Sequence, residues 1–429
     1  MLHRFSDLPA FRRDPLAFFL SRGIEAKHAL VPVHVGLHPV FLITDPDLVR
    51  QVLRAEEDVI DKGRLIFKMR EVIGRSSLTI SGEEHRVRRA TIHRQLAAGL
   101  SGDYVPQIAS TIREFAALMA RETVIEAPRT TAFLALRVIC TILFGRGAMS
   151  KGDENAIVSA IHLVEDDLAE EIFRALPHTP WGYARKKRKL KEARAIMSMV
   201  VERMRKNAKK QSLLRAFEEL GLEGVDLRDE VLLMLLAGHH TTGTAATWLL
   251  YHLATQPELA EKLAKEAEAL SDDAGELTPH AMQRASQSKR FVQEILRLYP
   301  STYWMSRETK HPMELAGLNL KVGTSLIMSP WHLHRDPKYW KNPSEFDCNR
   351  DYTSKAYMPF GFGARACVGI MVSTIELQIM ALEFAAAFAL SVVSKVPADP
   401  PKPSVTLVPS DVKLIFHPRK AAHRKHDAA

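Results

Sequence analysis

The segment 360–369 constrains this chain more than any other. It reads F-G-F-G-A-R-A-C-V-G, so that Gly361 and Gly363 precede Cys367 and Gly369 follows it. Glycines let the backbone approach a flat group closely and adopt turns that a Cβ would forbid. Apolar residues recur at helical spacing after Gly369, which predicts that Cys367 lies at a helix N-terminus, where the helix dipole favours a thiolate. We therefore predict a loop that holds a thiolate against a metal.

A cysteine in a glycine-rich loop does not by itself indicate a metal site. Many such cysteines are structural thiols, and glycine-rich loops also bind phosphates. Here Phe360, Gly363, Arg365 and Gly369 stand at fixed offsets from Cys367, in the pattern F-x-x-G-x-R-x-C-x-G. This joint pattern resembles the cysteine loop of the cytochrome P450 superfamily, the haem-thiolate monooxygenases. The resemblance implies that Cys367 is the axial ligand of the iron in haem b, and that O2 is a co-substrate.

Composition suits a large, well-packed protein. The chain has 429 residues, of which 46 % are apolar and 25 % charged, close to the globular average. Cys140, Cys348 and Cys367 are too few and too scattered for a disulfide framework, which suits a reducing compartment. The N-terminus carries no secretory signal, and P450s of the soluble bacterial type have no N-terminal anchor. We therefore expect a soluble, cytoplasmic protein without a transmembrane anchor.

The formal charge of +9 raises the question of nucleic-acid binding. Basic residues cluster in segments 185–191, 203–210 and 419–425, without interleaved aromatic residues or a known nucleic-acid motif. We predict solvated helix faces and no nucleic-acid partner. A membrane-surface role for the methionine-rich stretch 197–204 is a less favoured alternative. Basic residues near the haem would suit an acidic electron donor.

Periodicity predicts a mostly α protein with a small β region, an α+β chain. Helical patterns dominate from Asp47 to Pro300, after a hairpin that ends at Asp45 and Pro46. The predicted strands are 33–35, 40–43, 318–322, 325–328, 405–408 and 412–416. The resemblance implies the cytochrome P450 fold, with a long central helix over the haem. We expect one domain over 1–429, with a β-containing part at about 1–60, a helical body at about 61–300, and a mixed region with the cysteine loop at about 301–429.

The central helix is predicted from an apolar run, 231–236, that leads into A-G-H-H-T-T at 237–242, with Asp226 as its N-cap. Gly238 weakens a helix, and a threonine hydroxyl can bond the carbonyl one turn back, here from Thr241 to Ala237. In the family this segment crosses the distal face of the haem. The match implies that Ala237 and Gly238 form the oxygen groove and that Thr241 takes part in holding oxygen and delivering protons. The alternative is a buried helix with incidental small residues.

His240 departs from the family pattern, which usually has Asp or Glu before the threonine. Two roles stay open for it. It could relay protons, since the reference pKa of a histidine, about 6.5, lies near working pH. It could instead be a polar residue bonded to a neighbouring helix.

A charged triad is expected behind the cysteine loop. Glu294 and Arg297 are three residues apart and share a helical face. They resemble the E-x-x-R motif of P450s, whose pair joins a later arginine, here Arg350. Cys348 and Asn349 replace the Pro and Glu usual before that arginine, so the sequence departs from the family pattern at this turn while the three triad residues are retained.

Haem propionates need basic partners, and arginine suits them. Four residues match family positions for these contacts: His85, Arg89, Arg307 and Arg365. The loop residues Phe360, Gly361 and Gly369 complete the expected haem contacts. For Arg86 and Arg88 we predict a surface that faces the electron donor, with simple solvation as the alternative.

Substrate contacts are expected from three segments, although each residue could be ordinary core. They are the loop with Met69, Val72, Ile73 and Leu78, the central helix at Leu236 and Ala237, and the stretch Tyr303, Trp304 and Met305. An apolar lining predicts a lipophilic substrate.

The sequence thus predicts a monooxygenase that inserts one atom of O2 into a lipophilic molecule, with terpenoid, steroid or fatty-acid-like substrates all possible. Electrons would come from a ferredoxin or flavodoxin-type donor. A peroxide-driven peroxygenase is less favoured because Thr241 is present. A non-catalytic haem sensor would need no oxygen groove.

Overall fold

The structure is a computed structural model and describes residues 5–173, 179–394, 402–403, 406–409 and 411–419. Over these residues the chain forms helices joined by short strands. The helices are α1 (Leu8–Arg13), α2 (Pro15–Ile24), α3 (Pro46–Arg54), α4 (Arg64–Ile73), α5 (Gly82–Ser101), α6 (Tyr104–Met119), α7 (Ala127–Phe144), α8 (Lys151–Phe173), α9 (Pro180–Asn207), α10 (Leu213–Glu219), α11 (Gly224–Thr255), α12 (Pro257–Leu270), α13 (Pro279–Arg284), α14 (Ser286–Leu298), α15 (Pro330–Leu333) and α16 (Ile370–Ala387). The strands are β1 (Leu30–Val33), β2 (Val40–Ile43), β3 (Ile60–Asp61), β4 (Ile125–Glu126), β5 (Met305–Thr309), β6 (Met313–Leu315), β7 (Leu318–Leu320), β8 (Ser325–Met328), β9 (Phe388–Val392), β10 (Lys402–Pro403), β11 (Leu407–Val408) and β12 (Lys413–Pro418).

The N-terminal hairpin forms as predicted, three residues earlier in its first strand. β1 and β2 pair antiparallel, with Leu30 opposite Ile43 and Val33 opposite Val40. β2 then pairs parallel with β8, which brings strands from the first 61 residues and from the region 305–328 into one five-stranded sheet of order β1-β2-β8-β5-β3. Asp45 ends the hairpin by accepting a 2.8 Å hydrogen bond from the N–H of Leu48, and so caps α3.

The central helix α11 has 32 residues, about 48 Å at 1.5 Å per residue, and packs along α7. Its N-cap is Glu223, so the prediction that Asp226 caps it is wrong. Asp226 lies in the first turn, because Gly224 at a φ of +49° starts the helix two residues earlier. Gly238 is explained by packing, since a Cβ there would lie 2.9 Å from Cγ1 of Ile139 on α7.

The helix after the cysteine begins at Ile370, with Gly369 as its N-cap, as the apolar spacing predicts. A three-stranded sheet of order β4-β12-β9 follows it. The predicted strand 325–328 is confirmed as β8, while 318–322 and 412–416 match β7 and β12 with shifted ends. Of the predicted strand 405–408, β11 covers only the last two residues, and Val405 lies outside the described residues, as does the basic stretch 420–425.

Two described helices are long and apolar enough to cross a membrane, α7 and α16. More than half of each lies buried inside the protein, and each packs against several other helices, which is how core helices behave. On α9, Met197, Val200 and Met204 are buried and only Met199 is exposed. The methionine-rich stretch therefore faces the core, so these apolar side chains do not support a role on a membrane surface.

Candidate active site

One cavity of about 410 Å³ lies between α11, α5, the start of α16 and the cysteine loop. It brings together residues that are far apart in the sequence. Most of the residues predicted to contact haem or oxygen line it: His85, Arg89, Ala237, Gly238, Thr241, Arg307, Phe360, Gly361, Arg365, Cys367 and Gly369. His240 is not part of the cavity lining.

The cysteine loop is held in shape by close backbone contacts. The N–H of Cys367 donates a 2.9 Å hydrogen bond to the carbonyl of Phe360. Gly361 has a φ of +69° and Gly363 a φ of +75°, and a Cβ on Gly363 would lie 2.2 Å from the carbonyl oxygen of Leu53 on α3. Both glycines are therefore required by conformation or by the approach of α3.

The thiol of Cys367 opens into the cavity while protein surrounds it. Burial raises the pKa of this thiol, and that effect exceeds the lowering caused by the N–H of Gly369 and the charge of Arg89. The helix N-terminus alone therefore does not keep the free side chain ionised. A coordinated metal ion would do so, because it deprotonates a bound thiol.

Basic side chains converge on one side of the cavity. The predicted residues His85, Arg89, Arg307 and Arg365 are joined there by Lys62, which the sequence reasoning missed. Burial, and secondly the charge of Arg365, lowers the pKa of His85 to about 4, of Lys62 to about 8 and of Arg307 to about 10. His85 is therefore neutral near pH 7, while the lysine and the three arginines keep their positive charge. This cation cluster favours an anionic ligand.

These features fit a haem. The cation cluster suits two propionates, and Cys367 supplies one sulfur ligand in the same cavity. Within the described ranges no group of three or more His, Cys, Asp and Glu side chains could hold a metal ion by itself. Cys367 suits a metal whose other ligands come from a cofactor.

On α11 the predicted bond is confirmed: Oγ1 of Thr241 donates to the carbonyl of Ala237 at 2.7 Å. The hydroxyl of Ser301 donates to the carbonyl of Thr241, also at 2.7 Å, and both residues line the cavity. The Thr241 hydroxyl is thus anchored as a donor and presents its oxygen to the cavity as an acceptor.

His240 sits beside His239, with ring centroids 3.8 Å apart. Burial, and then the charges of His239 and His162, lowers the pKa of His240 to about 3. The idea that His240 titrates near neutrality is therefore wrong, since burial in the packed helices disfavours its charged form. Its two possible roles stay open, but any relay through it would use a neutral ring.

The triad residues come together in the interior. Arg297 and Glu294 are fully buried and form a two-pronged ion pair with bonds of 2.8 and 2.7 Å. Arg350 Nε lies 3.1 Å from the same carboxylate, and the hydroxyl of Tyr352 donates to it at 2.9 Å. Arg297 also donates to the carbonyl oxygens of residues 334, 343 and 345, which ties the chain before the cysteine loop to α14.

The predicted substrate residues divide into two groups. Leu78, Ala237 and Met305 line the cavity. Met69, Val72, Ile73 and Leu236 pack in the main helical core, and Tyr303 and Trp304 in the cluster around α2. These six residues do not line the cavity where the prediction places them. The chain before β5 turns its aromatic side chains toward α2, and Met305 reaches the cavity from that stretch.

Arg88 does not form the predicted donor-facing surface. It is buried, with Nη1 3.1 Å from Oε2 of Glu230 on α11 and Nη2 2.6 Å from Oε1 of Glu84. Because Arg88 lies on the inner face of α5, only Arg86 of the two is exposed, and it is paired with Glu83.

A second missed residue is Glu376, a cavity-lining carboxyl on the apolar helix α16. Burial raises its pKa well above the ordinary value, because it disfavours the ionised carboxylate. Its Oε1 has no hydrogen-bond partner within the described structure. The available sequence signal was a carboxylate in an otherwise apolar helical run.

Comparison with known proteins agrees with this geometry. The cytochrome P450 family model matches residues 19–416. The chain is 27 % identical over 406 residues to cyclooctat-9-en-7-ol 5-monooxygenase of Streptomyces melanosporofaciens, covering 89 % of this chain and 86 % of that protein. It is 26 % identical over 432 residues to pentalenene oxygenase of Streptomyces avermitilis, covering 95 % and 92 %. With human cytochrome P450 4V2 it shares 27 % over 398 residues, covering 81 % and 74 %.

A mostly helical fold around a cavity that holds Cys367 and the cation cluster, together with these matches, defines a haem-thiolate oxidoreductase. The chain belongs to the cytochrome P450 family. It is a monooxygenase that depends on haem-thiolate iron and molecular oxygen, and the family draws its electrons from redox partners.

Proposed function

We propose that this enzyme binds haem b through Cys367 and oxidises a lipophilic small molecule in the cavity beneath α11. The observation that carries the proposal is the joint lining of one cavity by Cys367, by the cation cluster and by Thr241. When bound, the haem supplies the activation of oxygen. The single-domain organisation and the cytoplasmic location remain part of this proposal, the latter because all three cysteines are free thiols.

The protein's own residues supply proton handling and positioning. Thr241 offers an oxygen that can accept a hydrogen bond inside the cavity, since its proton is committed to Ala237. Glu376 is a carboxyl group in the same cavity wall, where burial raises its pKa and so favours the protonated form that a proton donor needs. We assign proton delivery to Thr241 and Glu376, while both roles of His240 stay open, a relay through its neutral ring or a polar contact with a neighbouring helix.

The substrate class follows from the cavity wall. Leu78, Ile139, Leu233, Met234 and Met305 make much of this wall apolar. An apolar lining of this kind selects lipophilic ligands. Two bacterial relatives are named for cyclooctat-9-en-7-ol and pentalenene. We propose a terpenoid, steroid or fatty-acid-like substrate.

For the electron donor we propose an acidic ferredoxin or flavodoxin. Arg50 and Arg54 of α3 place their guanidinium groups 4.7 and 4.8 Å from the ring centroid of Phe362, in the cysteine loop itself. Lys355 lines the same surface groove. These cations lie beside the turn that carries Arg365, which favours them over Arg88 as the docking surface for an acidic protein.

The test is the reduced carbon monoxide spectrum of the purified holoenzyme. The parent should show the absorption typical of thiolate ligation, and Cys367→Ser should lose it, because serine does not donate electron density as sulfur does. Cys140→Ser is the matched control, since that thiol is buried in the helical core. An unchanged spectrum in Cys367→Ser would exclude the proposal. Turnover with reductant and donor, against turnover with peroxide alone, then separates a monooxygenase from a peroxygenase.

A further inference from the structure

The loop between α4 and α5, residues 74–81, forms part of the cavity wall. Ser77 and Leu78 line the cavity from this loop. The loop has no regular secondary structure beyond short turns, so its shape depends on bonds from other elements. Those bonds come largely from charged side chains.

Two carboxylates of α11 hold the N–H groups of the 74–81 loop. The N–H of Arg75 donates to Oδ2 of Asp229 at 3.0 Å, and the N–H of Ser77 donates to Oε2 of Glu230 at 2.9 Å. Both carboxylates are buried, with 2 % and 0 % of their surface exposed. Gly74 has a φ of +56°, and a Cβ there would lie 1.7 Å from Oδ2 of Asp229, so the loop presses directly on this carboxylate.

Three cations hold the carbonyl groups of the same loop. Arg88 donates to the carbonyl of Arg75 at 3.0 Å and pairs with Glu230. Arg365 donates to the carbonyl of Ser77 at 3.2 Å, and Lys62 to that of Leu78 at 3.1 Å. The loop is thus bound from the α11 side and from the cation cluster of the cavity.

Such an arrangement is a costly way to stabilise a fold. A buried ion pair such as Arg88 with Glu230 often stabilises no more than apolar residues of the same size would. It does fix geometry, because charged hydrogen bonds are short and directional. Glu230 and Thr241 are eleven residues apart, three turns on the same face of α11 and about 16 Å along its axis. The same helix therefore determines the positions of both the 74–81 loop and Thr241.

We propose that Asp229 and Glu230 are positioning residues for the substrate: by holding the N–H groups of Arg75 and Ser77, they keep Leu78 in the cavity wall and so determine which ligands the cavity accepts. The inference rests on the proposed function in one respect, that the cavity binds the substrate. It assigns no chemical step to either carboxylate.

Amide hydrogen exchange of the holoenzyme tests the holding contacts directly. Hydrogen bonds to charged groups contribute about 1.5–3 kcal/mol, so Glu230→Ala should speed exchange in peptides covering 74–81 roughly ten- to hundredfold. Glu230→Gln keeps an acceptor oxygen and should retain part of the protection. Asp226→Asn is the matched control, because Asp226 approaches Arg88 at 3.8 Å from the same end of α11, whereas the N–H groups of Arg75 and Ser77 bond Asp229 and Glu230.

Ligand selection is tested by optical titration of the ferric holoenzyme with imidazole and with phenylimidazole. Both bind the iron, but only the aryl compound reaches toward the cavity wall. The ratio of their dissociation constants should change at least about threefold in Glu230→Ala and in Leu78→Ala, with no further change in the double variant, because both act through one contact. Gly74→Ala, which pushes the loop off Asp229 without altering charge, should change the ratio as well.

The outcomes separate the two proposals. Unchanged exchange in Glu230→Ala, or an unchanged ratio in a folded Gly74→Ala that still binds haem, overturns the positioning role. If the parent lacks the thiolate spectrum, the proposed function fails, while the exchange result still decides whether Asp229 and Glu230 hold the loop.

Discussion

The hydroxyl of Ser301 donates a 2.7 Å hydrogen bond to the carbonyl oxygen of Thr241, sixty residues earlier in the chain. Ser301 follows α14, the helix that carries Glu294 and Arg297. The bond therefore links the buried triad to the segment of α11 that faces the cavity. It also places a hydroxyl group beside the residue we propose for proton handling.

Thr241→Ala should lower the product formed per reductant consumed and raise peroxide release, because the variant lacks the hydroxyl group that we propose for proton delivery. Thr241→Ser keeps that hydroxyl and should stay close to the parent. Coupling is measured by quantifying product, reductant and peroxide in the same reaction. A Thr241→Ala enzyme that couples as well as the parent would show that protons reach the oxygen by another route.

His240 should make the enzyme acid-sensitive in stability but should not make turnover pH-dependent near neutrality. Its folded pKa of about 3 lies below the ordinary 6.5, so the unfolded chain gains a proton as the pH falls below 6.5 and the folded protein does not. The stability cost is about 1–2 kcal/mol at pH 5, at about 1.4 kcal/mol per pH unit. Urea unfolding of His240→Gln should show a smaller loss of stability between pH 7.5 and pH 5 than the parent.

The exposed His93, replaced in the same way, is the control for this measurement. If the His240→Gln and parent proteins lose equal stability on acidification, His240 must be protonated in the folded state, and a charged relay becomes tenable again.

Residue patterns within one helix predicted much of the site. Contacts between segments that are distant in the sequence could not be predicted in this way. The bond from Thr241 to Ala237 spans one helical turn, and the pair of Glu294 and Arg297 spans three residues, so periodicity alone places them together. The bond from Ser77 to Glu230 joins residues that are more than 150 positions apart in the sequence, so helical periodicity could not predict it.

Because contacts between distant segments could not be predicted, the expectations for Arg88 and His240 were wrong and Glu376 was missed. Arg88 belongs to a basic run that looks solvent-exposed in the sequence, but its buried partner Glu230 lies on another helix. The pKa values of His240 and Glu376 depend on how helices pack around them, because burial is their largest cause. Local sequence gives the residue type but not the degree of burial.

Glu376→Gln should stabilise the protein, increasingly so as the pH rises. The folded pKa of Glu376 is raised, so above an ordinary pKa of about 4.5 the unfolded chain releases a proton that the folded protein retains, and stability falls with rising pH. An amide removes this cost, which grows by about 1.4 kcal/mol per pH unit until the folded group ionises. The measurement is the difference in unfolding free energy between variant and parent at pH 5 and pH 8.

Glu383→Gln provides the comparison on the same helix. Glu383 is also buried, but its Oε1 lies 3.4 Å from Nε of Arg113, so the change should destabilise the protein. A Glu376→Gln variant with the same pH profile as the parent would mean that Glu376 is ionised in the folded protein.

Glu294→Ala should lower stability by about 3–5 kcal/mol and reduce haem retention, because it strands the fully buried charge of Arg297 and frees Arg350. The haem content per polypeptide and the thermal midpoint measure the effect. Glu345→Ala is the control, since its side chain accepts a hydrogen bond from Asn342 near the surface. Full haem content and an unshifted midpoint in Glu294→Ala would mean that the buried pair contributes nothing to holding the cysteine loop.

Arg54→Glu should slow reduction of the haem by an acidic donor, roughly three- to tenfold at low salt, without changing the optical shift produced by ligand binding. The reason is its position: its guanidinium lies 4.8 Å from the ring of Phe362, and α3 contacts the turn that leads to Cys367. Stopped-flow reduction over a series of salt concentrations measures the effect, which should fade as ionic strength rises. Arg185→Glu makes the same charge change on the exposed side of α9 and should leave the rate as it is. Equal rates for Arg54→Glu and Arg185→Glu at every salt concentration would place the donor on another surface.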